Sequence, residues 1–96
     1  AAAGGTRLGL PQNVPNPFRG TTWFTVEVPA DGPAQLEILD VAGRRLRALP
    51  VPAPGRRAVV GWDGRDAGGR RVASGVYFYR LAGTTAGAPR RLTLLD

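Results

Sequence analysis

From Thr22 onward, apolar and polar residues alternate. Phe24, Val26 and Val28 fall on one face and Trp23, Thr25 and Glu27 on the other, until Pro29-Ala30-Asp31-Gly32-Pro33 interrupts the run. A period of two that ends in turn formers predicts a half-buried strand. Leu36 and Ile38 resume the pattern between Gln35, Glu37 and Leu39. Asp40-Val41-Ala42-Gly43 then supplies a tight hairpin in which Gly43 takes a positive φ, and residues 44–49 return as the partner strand. Pro50, Pro52 and Pro54 cannot donate ladder hydrogen bonds, which assigns their stretch to a linker or a sheet edge. The next strand covers 57–62, with Ala58, Val60 and Trp62 on one face, and residues 63–70 are nearly all turn formers. Residues 72–81 are the strongest β segment because Val76, Tyr77, Phe78 and Tyr79 are consecutive. Tyr77, Tyr79 and Leu81 are expected to face inward, with Phe78 outward or under a loop. A glycine-containing loop over 82–88 leads to a last strand at 90–95. No window carries a 3.6-residue apolar period, and no repeat falls at solenoid spacing. Six or seven short strands at regular turn spacing predict an all-β, antiparallel sandwich.

The chain ahead of Thr22 is of a different character. Residues 1–20 are rich in Gly and Pro, with Leu8, Leu10, Val14 and Phe18 as their large apolar groups. They read as an extended arm and lead-in, and 21–96 as the sandwich. In Asn13-Val14-Pro15-Asn16-Pro17-Phe18 the two asparagines are expected to hold Asx-type turns, the prolines to stiffen the approach and Phe18 to anchor it. Thr6, Leu8 and Leu10 alternate as a donated strand must. An arm that added itself to the sheet edge of the next copy, head to tail, would build a filament. Residue 1 is not Met, which suggests a chain derived from something longer.

Composition narrows the chemistry. A chain of 96 residues forms one domain and buries about two-thirds of its unfolded surface. It has no Cys and no His, so there is no thiolate, disulfide, zinc site of the usual ligand set or imidazole base, and neither an enzyme nor a cofactor is expected. No apolar run approaches the ~18 residues of a membrane span. All thirteen basic residues are Arg and the net charge is +6. Nucleic-acid binding needs such charge on one face, but here the arginines occur as scattered pairs at turns and strand ends, which argues against it. Asp63 and Asp66 are the candidates for calcium. Their loop lacks acidic or amide groups at the alternating positions a calcium loop uses, so they read as turn formers and no metal is expected. Trp62 and Tyr77 read as core. Trp23 and Phe78 point outward and join Thr6, Leu8 and Leu10 as candidates for a protein–protein interface.

Four motifs then stand in a recognisable order: 10–18 (LPQNVPNPF), 36–45 (LEILDVAGRR), 62–66 (WDGRD) and 73–81 (ASGVYFYRL). Together they resemble the immunoglobulin-like domain shared by the flagellar hook-capping protein and the C-terminal sorting domains of type IX secretion cargo. The resemblance implies a seven-stranded sandwich at the C-terminus of a larger bacterial secreted or surface protein, without catalytic activity. It also implies that the last strands are read by the secretion machinery. That role would fall on Gly75, Val76, Tyr77, Phe78, Tyr79 and Arg80, with Leu92 and Leu94. Three functions are therefore expected in turn. The first is an extracellular structural module that assembles with copies of itself through its N-terminal arm. The second is a sorting and anchoring domain for a type IX passenger, and the third a module binding glycan or nucleic acid through Arg and Trp23.

Overall fold

The structure, a computed structural model, describes residues 11–27, 34–51, 57–82 and 89–95. These contain six strands: β1 (Thr22–Glu27), β2 (Ala34–Leu39), β3 (Arg45–Val51), β4 (Arg57–Trp62), β5 (Gly75–Ala82) and β6 (Arg90–Leu94). All pairings are antiparallel. β1 pairs with β4 in one sheet, and the other sheet runs β3-β2-β5-β6. The two sheets face each other across a single core, as the alternation predicts.

Period two decides what that core contains. Phe24 and Val26 from β1, Ala58 and Trp62 from β4, Leu36 and Ile38 from β2, Tyr77, Tyr79 and Leu81 from β5, and Leu92 and Leu94 from β6 are all buried. Their aromatic rings meet edge-on or tilted, Phe24 with Tyr79 at 4.7 Å, Phe18 with Trp62 at 5.7 Å and Trp62 with Tyr77 at 6.1 Å between centroids. Such contacts add ~0.5–1.5 kcal/mol each beyond the area they bury. The register of β2 against β3 shifts between Ile38 and Leu39, where Leu39 faces Arg45. That irregularity lets Leu46 pack against the core from β3, whose Leu49 and Val51 are already buried in it. Pro50 lies in β3, an edge strand, where its missing N–H costs no ladder bond. Pro52, Pro54 and Val28 lie outside the described residues.

The lead-in closes one side of the sandwich. Val14 exchanges both backbone hydrogen bonds with Trp23 on β1, while Phe18 bonds Thr93 and Leu95 beside β6. Phe18 is 1% exposed and fills that end of the core, as expected. The asparagines, however, do not hold Asx turns. Two residues beyond Asn13 stands Pro15, which has no N–H to offer, so the Asn13 amide instead donates to the Pro15 carbonyl and to the Thr22 hydroxyl. Two residues beyond Asn16 stands Phe18, whose N–H is taken by Thr93, so the Asn16 carbonyl oxygen accepts from the Thr93 N–H. Asn16 thus ties the lead-in to β6, and Asn13 ties it both to itself and to β1.

Candidate functional site

The exposed face of the larger sheet is built from the alternate residues of β2, β5 and their neighbours. Glu37 on β2 lies opposite Arg80 on β5, and Leu39 opposite Phe78. Across the next ladder Phe78 faces Arg91 and Val76 faces Thr93. The Glu37 carboxylate accepts from Arg80 at 2.8 Å and from Arg45 at 3.2 Å, and its side chain is only 10% exposed beneath the two guanidinium groups. The hydrogen bond from Arg80 holds the Glu37 carboxyl below the usual carboxylate range, against the opposing pull of burial, and Arg45 adds to the lowering. One carboxylate thus serves two arginines. Arg91 has no acidic partner among the described residues. The face is therefore cationic, with the exposed Val76 and the half-buried Phe78 as an apolar ridge along it, beside the buried Leu39.

At one end of the ridge a cleft of about 410 Å³ opens between the Asp40–Gly43 hairpin and the side chains of Phe78 and Arg80. The hairpin is rigid because Asp40 accepts from the N–H groups of Ala42 and Arg44, both at 2.9 Å, and pairs with the Arg44 guanidinium. Those bonds, led by the Arg44 N–H, also lower the Asp40 carboxyl. The cleft can hold a side chain or a bent peptide. Among the described residues no three His, Cys, Asp or Glu side chains converge as a metal site would require.

The sequence-predicted residues separate into groups. β5 and β6 bring Gly75 opposite Leu94 and Tyr77 opposite Leu92. Tyr77, Tyr79, Leu92 and Leu94 are buried, and Val76, Phe78 and Arg80 lie on the outer face. Only the second group is open to contact in the folded domain. Trp23 and Phe78 occupy the outer faces of different sheets and do not form one patch. Thr6, Leu8 and Leu10 lie outside the described residues. Asp63 accepts from the Arg65 N–H and sits 3.4 Å from Arg47, while Asp66 accepts from the N–H groups of Gly68 and Arg70. Both aspartates are engaged as turn formers.

Glu37 was missed because alternation marks it simply as an outward polar residue. Its partners come from two other strands, and only the register reveals them. A second omission had a visible signal. Asp40-Val41-Ala42-Gly43-Arg44 and Asp66-Ala67-Gly68-Gly69-Arg70 share the spacing Asp-x-x-Gly-Arg, and the two segments fold alike.

An antiparallel two-sheet sandwich with a clasped N-terminal lead-in and no catalytic constellation among its described residues is an immunoglobulin-like module. The family model of the FlgD Ig-like domain matches residues 12–87, and the chain belongs to that family. Comparison with curated proteins gives no match. Among solved structures, the chain is similar to part of dimeric latent PorU from Porphyromonas gingivalis, with 26% identity and a TM-score of 0.76 over 90% of this chain. It is also similar in fold to part of PorZ, an essential surface component of the type IX secretion system of the same bacterium, with 24% identity and a TM-score of 0.65 over 92% of this chain. The chain spans 9% of the PorU chain and 12% of the PorZ chain.

Proposed function

We propose that this chain is a non-catalytic structural module of a larger bacterial protein at the cell surface or in the medium, and that it serves type IX secretion as a sorting and anchoring domain. The observation that carries the reading is the PorU match. A fold covering nine-tenths of this chain recurs as less than a tenth of a far longer protein. That is the proportion expected of a module that serves a passenger. The outer face supports the reading chemically, because Val76, Phe78 and Arg80 combine apolar and cationic groups on a rigid sheet where a receptor can reach them. Assembly into a filament through the arm draws no support from geometry, since its donor residues are not among those described.

The test is export. Residues 11–96 fused behind a foreign passenger in a host with a type IX system should carry the passenger to the surface or medium. The doubly substituted Phe78→Ala, Arg80→Ala fusion should lower export several-fold while the purified domain keeps its β-sheet circular dichroism. Retention of the unsubstituted fusion inside the cell would refute the reading.

A further inference from the structure

The four sheet edges are treated very differently by this chain. On β6, Phe18 pairs with Thr93 and Leu95, the Asn16 side chain takes the Thr93 N–H, and the Gln12 amide donates to the Arg91 carbonyl. On β1, Val14 pairs with Trp23. On β3 there are Pro50, a register shift, and a Leu46 carbonyl taken by the Ala67 N–H. These are the devices that keep edges from pairing with other chains. β4 has none of them among the described residues.

Its outward groups can be assigned. The N–H and C=O of Trp23 are used by Val14, so they point away from β4. Trp23 lies opposite Gly61, which is therefore a non-hydrogen-bonded pair, and Gly61 turns its own N–H and C=O to the far edge. By alternation Val59 and Arg57 do the same. Among the described residues nothing pairs with these three. Beside them, Val59 is 64% exposed and Trp23 is 52% exposed. The Trp23 ring lies over Gly61 so closely that a Cβ there would fall 2.5 Å from it.

We propose that β4 is a self-association edge at which two copies of this chain pair antiparallel about a twofold axis through Val60. Outward groups must meet outward groups, which leaves two central registers, Val59 against Val59 or Val59 against Gly61 of the second copy. The second register seats each Val59 beside the Trp23 ring that covers the opposing Gly61, so both exposed apolar groups are shielded. It also sets Arg57 opposite Asp63 of the second copy. Arg57 already carries Glu27 at 2.8 Å and Asp63 carries Arg47 at 3.4 Å, so the signs alternate along Glu27, Arg57, Asp63 and Arg47. The first register sets Arg57 against Gly61 and forms no ion pair. Self-complementarity of this kind selects a second copy over an unrelated extended peptide. An edge of six residues buries less than the ~1,200 Å² typical of stable interfaces, so the pair is weak for free chains.

Sedimentation of the full 96-residue chain up to ~1 mM should show a reversible monomer–dimer equilibrium. Arg57→Glu and Asp63→Arg should each weaken it about tenfold, and mixing the two variants should restore it, because every charge pair is then opposite again. The chain has no cysteine, so Val60→Cys supplies a single thiol on the axis, where paired Cα atoms lie ~4.5 Å apart and a disulfide can form. Mild oxidation should convert the folded variant to a covalent dimer. A wild-type chain that stays monomeric throughout, or a folded Val60→Cys variant that stays a free thiol, overturns the proposal. A dimer indifferent to the charge swap overturns the register.

Discussion

Tyr79 shows how one side chain can serve two elements. Its ring packs against Phe24 in the core, and its hydroxyl donates to the Pro11 carbonyl at 2.8 Å while accepting the Asn13 N–H at 3.1 Å. Tyr79→Phe keeps the ring but leaves the N–H of a buried asparagine unpaired. We expect a loss of ~1–3 kcal/mol in urea unfolding, with the lead-in opening first in hydrogen exchange. An unchanged midpoint would show that water replaces the hydroxyl without cost. That Tyr79 faces inward was legible from its place in an alternating run. That its hydroxyl holds the lead-in was not, because the partners lie 66 and 68 residues away in sequence.

At the scale of elements, the two Asp-x-x-Gly-Arg turns are the clearest case of local chemistry setting structure. In each, the aspartate oxygen accepts two N–H groups of the turn, and the glycine adopts φ near +85°, as Gly43 (+85°) and Gly69 (+86°). A Cβ at either position would meet nothing within 4 Å, so only backbone strain opposes substitution. Gly43→Ala and Gly69→Ala should each cost ~1–2 kcal/mol in thermal or chemical unfolding. Gly61 is the contrasting case, since there the obstacle is the Trp23 ring rather than the backbone. Gly61→Ala should lift the ring from the sheet and increase quenching of Trp23 fluorescence by acrylamide, at a cost below ~1 kcal/mol because the ring can tilt toward solvent. Equal costs at all three positions would contradict this distinction. The strands were legible almost to their ends, with 57–62 matching fully. The β5 segment starts at Gly75 rather than Val72 because the N–H of Val72 is taken by the Gly64 carbonyl in the preceding loop.

For the whole molecule, the titratable groups set a stability window. Glu37 has a lowered folded pKa, chiefly through Arg80, so its contribution is present above its unfolded pKa of ~4.3 and is lost as pH falls through the folded value. Tyr77 and Tyr79 have raised pKa values, chiefly through burial, so the fold favours their neutral form. That contribution is present below ~10 and is lost as pH rises toward the folded values. With no histidine between these limits, the unfolding free energy should be flat from about pH 5 to about pH 9. Glu37→Gln should lower the plateau by ~1 kcal/mol and shrink the acid limb. A distinct step near pH 7, or an acid limb unchanged by the substitution, would contradict this account.

The sequence by itself determined the six strands, the inward faces of β1, β4 and β5, and the turns at 40–43 and 63–70. These depend on neighbours two to four residues apart, and the physics of alternation and of Asp and Gly acts at that range. Only the tertiary structure decided which outward residues meet. Register joined Glu37 to Arg45 and Arg80, and sheet order placed Trp23 and Phe78 on opposite sides. The lead-in crossed from β1 to β6, covering the first edge with the Val14 backbone and the second with the Phe18 backbone and the Asn16 and Gln12 side chains, while β4 was left without a described partner on its far edge. Strand partnership is a contest among long-range pairings of similar chemistry, and packing of the shared core settles it.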